Sequence, residues 1–133
     1  MKRIIVLFYL FFGMVYLIAC PPTATAQSID EITQTIQNGS SKALGKFLQD
    51  NVTLNINNTL SDYSKNQAEQ ILRDFFRKNP CKEFEVLHQD ESADKTWHFI
   101  GQYLGDGASF KVLVKGAKQD GKLTVSHIEF TKE

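Results

Sequence analysis

The chain has 133 residues, with 15 lysines and arginines against 15 aspartates and glutamates and a net charge of zero. A balanced charge without a basic run excludes the electrostatic footprint of a nucleic-acid binder. The length leaves room for one domain once the atypical first residues are set aside.

Lys2 and Arg3 form a basic head, residues 4–19 are uncharged and apolar, and Ala24-Thr25-Ala26 follows. A positive head, an apolar core and an A-x-A site make residues 1–26 a cleavable signal peptide. The apolar run is 16 residues long, short of the roughly 20 that span a bilayer. Leu17-Ile18-Ala19-Cys20 resembles a bacterial lipobox, which would instead leave a lipid on Cys20 and tether the protein to a membrane. Pro21 and the downstream A-x-A site favour simple cleavage. The expected address is therefore periplasmic or secreted, with membrane attachment only through Cys20. Residues 27–133 form a single domain with 13 basic and 15 acidic side chains and one cysteine, Cys81. With no internal disulfide available, its core must hold it together. Cys81 reads as a small, half-buried apolar residue.

Along that domain, Ile29, Ile32 and Ile36 have helical spacing, and Gly39 sits where a helix stops. Ser40 or Ser41 caps a second short helix reaching Leu48, with Leu44, Phe47 and Leu48 on its inner side. Val52, Leu54 and Ile56 alternate with polar residues as a strand, Asn57-Asn58 turns the chain, and residues 59–63 return. Ser64 caps a long helix whose stripe is Ala68, Ile71, Leu72, Phe75 and Phe76, ended by Pro80. Residues 83–89, 96–104, 109–115 and 123–130 then form a four-strand antiparallel meander, with Asp106-Gly107 and Asp120-Gly121 at turns. Helices segregated onto one face of such a sheet make an α+β domain, and a curved sheet round a long helix tapers to a cone with a pocket at its open end.

The residues Ser64-Lys65-Asn66-Gln67-Ala68, Phe75-Phe76, Phe84-Glu85-Val86-Leu87-His88, Ile100-Gly101 and Phe110-Lys111-Val112 carry a closer resemblance. The chain resembles the nuclear transport factor 2-like (cystatin-like) superfamily, and within it a family of small secreted bacterial domains. The resemblance implies a cone-shaped fold of two short helices, a short hairpin, a long helix and a curved antiparallel sheet. It implies no activity, because the superfamily holds isomerases, dehydratases and hydrolases beside domains that only bind. Dimerisation through the open sheet face is common in it, and Ile100, Leu104, Leu113 and Phe130 are the residues expected to supply apolar surface there.

Three readings of function follow. The first is a non-catalytic exported domain holding a small apolar molecule or a peptide in its cavity, lined by Tyr63, Phe76, Phe84, His88, Trp97 and Tyr103. The second is a cavity enzyme. If its strand alternates, His88 shares a face with Phe84 and Val86, and an imidazole there is a general base near neutral pH. Asp62 or Tyr63 would join it, Tyr63 donating to a developing oxyanion. The third is a protein-interaction module with a filled cavity. No cofactor is expected. His88, His98 and His127 lack metal-ligand spacing, and Cys81 has no companion cysteine.

Overall fold

The computed structural model describes residues 28–133, so the expected signal peptide and Cys20 lie outside the described residues. Helix α1 (Ile29–Gln37) buries Ile29, Ile32 and Ile36, the stripe that its spacing demands. In α2 (Ser41–Gly45) the Ser40 hydroxyl accepts a hydrogen bond from the Ala43 amide. The helix stops short of the expected Leu48, which already opens strand β1 (Leu48–Ile56). Asn57 and Asn58 both have left-handed backbone, with φ of 53° and 68°. Two successive positive φ values are what a tight hairpin needs, and β2 (Thr59–Ser64) returns along β1.

Helix α3 (Lys65–Lys78) starts in a full capping box. The Ser64 hydroxyl accepts from the Gln67 amide, and the Gln67 side chain accepts from the Ser64 amide. Ala68, Leu72, Phe75 and Phe76 are buried, and each phenylalanine placed there contributes about 2–3 kcal/mol. Pro80 cannot continue a helix, and β3 (Cys81–Glu91) begins directly after it. Strands β4 (Thr96–Gly105), β5 (Ser109–Gln119) and β6 (Lys122–Lys132) follow, alternating buried and exposed positions along most of their length.

All six strands form one sheet in the order β2-β1-β6-β5-β4-β3. The meander runs antiparallel from β3 to β6 as its spacing predicts. The sheet is mixed, however, because β1 pairs with β6 in parallel. Docking the hairpin there covers the free edge of β6, whose backbone groups would otherwise stand unpaired. Among the described residues, three helices and this sheet make the expected α+β fold. On the sheet's inner face Val52, Leu54, Trp97, Phe99, Tyr103, Phe110, Val112, Val114, Val125, Ile128 and Phe130 are buried in one core with the helices.

Gly116 marks a register shift between β5 and β6. A Cβ there would lie 1.8 Å from the Thr124 carbonyl oxygen and 2.6 Å from the Trp97 ring, so no side chain fits.

Candidate functional site

The interior of the cone is full. Phe75 is the hub of an aromatic cluster, with ring centroids 4.1 Å from Phe130, 5.0 Å from Phe110, 5.7 Å from Tyr103 and 5.9 Å from Phe76. Edge-to-face and tilted rings at these spacings attract by about 0.5–1.5 kcal/mol per pair beyond their burial. The Tyr103 hydroxyl donates to the Asn79 carbonyl, satisfying the one polar atom the ring takes inside. Burial, and secondarily the neighbouring Cys81, hold the Tyr103 phenol well above its ordinary range. Burial likewise raises the Cys81 thiol, opposed by a backbone hydrogen bond at Glu83, and a thiol shifted upward is a poorer nucleophile.

Of the residues expected to line a cavity, Phe76, Trp97 and Tyr103 are therefore core side chains. The Trp97 indole donates to the Ala117 carbonyl at 3.1 Å. Phe84 is half-buried against the core. Its ring lies over Gly101, where a Cβ would come within 2.6 Å of Phe84 Cζ. That bare backbone lets Phe84 reach Phe99 and Tyr103, with centroids 6.4 and 6.5 Å away.

His88 does not share the face of Phe84 and Val86. Phe84 pairs with Tyr103 and Val86 with Gly101, but His88 pairs with Ile100, because the register shifts between Val86 and His88. Leu87 is the extra residue of a bulge, and the reversal sends His88 to the outer face, where it is exposed. Its ring centroid is 5.9 Å from that of His98. The register places His127 on the same outer face, so all three histidines share it. Among the described residues no three His, Cys, Asp or Glu side chains form a metal-binding group.

Asp62 also faces outward, accepting from the Thr53 hydroxyl at 2.6 Å. Tyr63, the next residue, faces inward and is half-buried. Neighbours on a strand point to opposite faces, so Asp62 and Tyr63 cannot act on one substrate atom, and His88 lies across the sheet from Tyr63. The expected catalytic set is thus dispersed. Phe130 is fully buried on the inner face and adds nothing to the outer surface that Ile100, Leu104 and Leu113 occupy.

What the structure does bring together is a cleft of about 310 Å³ between the β1–β2 hairpin and α3. Leu54, Ile56, Ile71 and Phe75 supply its apolar walls, and Asn57, Thr59, Tyr63, Asp74, Lys78 and Asn79 its polar ones. Beyond Tyr63 and Ile71 it continues as a shallower hollow of about 210 Å³ against Gln67, Gln70 and Asp74. Of these residues only Tyr63 is singled out by the sequence. Ile71 is read from the sequence as part of the buried stripe of α3, but α3 buries Ala68, Leu72, Phe75 and Phe76 and leaves Ile71 half-exposed.

Comparison with known proteins agrees with this architecture. A crystal structure of a protein from Bacteroides uniformis is 26% identical, with a TM-score of 0.76 over 80% of this chain and 98% of that one. One from Bacteroides ovatus is 25% identical, with a TM-score of 0.73 over 77% and 93%. A nuclear transport factor 2-like protein of unknown function from Silicibacter pomeroyi shares the fold at 9% identity, with a TM-score of 0.60 over 79% and 89%. No curated protein matches. Residues 29–131 match the family described as a domain of unknown function, DUF4783, to which both Bacteroides proteins also belong, and the chain is a member of that family with a nuclear transport factor 2-like fold.

Proposed function

We propose that this is an exported, non-catalytic binding domain that takes an apolar side chain or small apolar molecule in the cleft between its first hairpin and its long helix. The carrying observation is the contrast between a cone filled by Phe75, Phe76, Tyr103, Phe110 and Phe130 and an open cleft beside it, walled by Leu54, Ile56, Ile71 and Tyr63. An apolar hollow with a few polar groups at its margin is the usual form of a ligand site. The separation of His88, Asp62 and Tyr63 onto two faces supports binding over an acid–base mechanism built on those three residues. Export rests on the basic head, apolar run and Ala24-Thr25-Ala26. The mass of the protein recovered from its host tests it: cleavage after Ala26 supports release, and a lipid on Cys20 supports a tether.

Binding is tested by nuclear magnetic resonance titration of the purified protein with phenol and isobutanol. Saturable amide shifts at Tyr63, Ile71 and Asp74 are expected, and Ile71→Arg abolishes them. Unsaturable shifts spread over the surface, or shifts that survive Ile71→Arg, would sink the reading.

A further inference from the structure

The two edges of the sheet are guarded very differently. Strand β3 carries two register shifts and the charged residues Lys82, Glu83, Glu85, Asp90 and Glu91, and α1 packs against it. Bulges, charges and a covering helix are the standard protections of a sheet edge. Strand β2, at the other edge, has no bulge and no cluster of charges, although α3 packs beside it. Its register with β1 is regular throughout, its only charge is Asp62, it contains no proline, and Leu60 is 63% exposed. Every residue of β2 except Tyr63 is exposed.

We propose that β2 is a docking edge that receives an extended segment of a different protein as a seventh, antiparallel strand. This rests on the cleft reading above, since the inward side chains of the added strand would lie beside Tyr63 and the hollow it lines. A strand edge offers backbone donors and acceptors, which another extended backbone satisfies best. A second copy of this chain is a poor occupant. Directly opposed residues of an antiparallel pair share a face, so a two-fold pairing must centre on a residue. Centring on Ser61 sets Leu60 against Asp62, and centring on Asp62 sets two carboxylates together. Centring on Tyr63 runs the pairing into α3, and centring on Leu60 leaves residues 59–61 alone in register. Like charges directly across a ladder destabilise it, and an apolar–charged pair forgoes the gain of a matched one.

The same register defines the partner. It presents an apolar residue opposite Tyr63, a basic one opposite Asp62, then apolar ones opposite Ser61 and Leu60. The peptide acetyl-Thr-Val-Lys-Val-Leu-Thr-amide has that order. Titrated into the purified protein, it is expected to bind with slowed amide exchange along β2. Its glutamate-for-lysine analogue should bind about fivefold more weakly. Asp62→Lys inverts that preference, and Asp62→Asn, which keeps an acceptor for Thr53, levels it. No binding by the lysine peptide, unprotected β2 amides, or a preference indifferent to both substitutions overturns strand addition. Ile71→Arg separates the two ideas. If it abolishes peptide binding while β2 stays unprotected and Asp62 is indifferent, the cleft stands and strand addition falls. If β2 is protected and Ile71→Arg changes nothing, strand addition stands and the cleft reading falls.

Discussion

Val86 and His88 stand two positions apart on β3 yet face opposite sides of the sheet, because Leu87 is inserted between them as a bulge. In a regular strand they would lie on one face. That single extra residue takes the imidazole away from the aromatic interior and places it beside His98.

His88→Ala should therefore be silent. The side chain is exposed, so stability is expected to change by less than about 0.5 kcal/mol in urea unfolding. Phenol titration of the cleft should give the same shifts as the parent protein. A loss of either would mean that His88 reaches inward in solution.

Tyr103 and Cys81 should make stability fall at alkaline pH. Both are acids whose pKa is raised by folding, Tyr103 from an ordinary 10.0 and Cys81 from 9.0. Above those values the unfolded chain binds fewer protons than the native one, so the unfolding free energy must fall as pH rises. Tyr103→Phe removes the larger contribution. It should cost about 1–2 kcal/mol at neutral pH, because the Asn79 carbonyl loses its partner. The decline from pH 9 upward should nevertheless be shallower than in the parent, as read by urea unfolding at a series of pH values.

The capping box at the start of α3 should be measurable on its own. Ser64→Ala leaves the Gln67 amide without its acceptor and is expected to cost about 1 kcal/mol. Ser64→Asp keeps an acceptor at the helix N-terminus and should restore most of that loss in the same thermal unfolding assay.

Gly116→Ala is expected to be the most damaging of the small substitutions. Its Cβ would meet backbone at Thr124 as well as the Trp97 ring, and backbone cannot step aside. A loss of about 3 kcal/mol is expected, with a shift in Trp97 fluorescence as the indole is displaced. An unchanged midpoint and spectrum would show that β5 and β6 separate freely at this point.

Much of the architecture is legible in the residues because its causes are local. The stripe from Ala68 to Phe76, the Ser64 cap, the stop at Pro80 and the Asn57-Asn58 turn each depend on neighbours within a few residues. So does the strict alternation of Phe110, Val112 and Val114. Those features determine an α+β domain with a long helix and a meander. The bulge at Leu87 carries no glycine or proline to announce it, and it exists only because β3 must follow β4 on both sides of the shift. The parallel pairing of β1 with β6 joins residues more than seventy positions apart, a choice made by the whole sheet's need to close its edge. Packing decided the rest. Five rings from three strands and a helix converge on one space and fill it, so an apolar hollow opens beside the cone, under the hairpin, where Ile71 and Tyr63 were left half-covered. Local chemistry chose the elements, and only the competition among their side chains for the same volume chose where a ligand can enter.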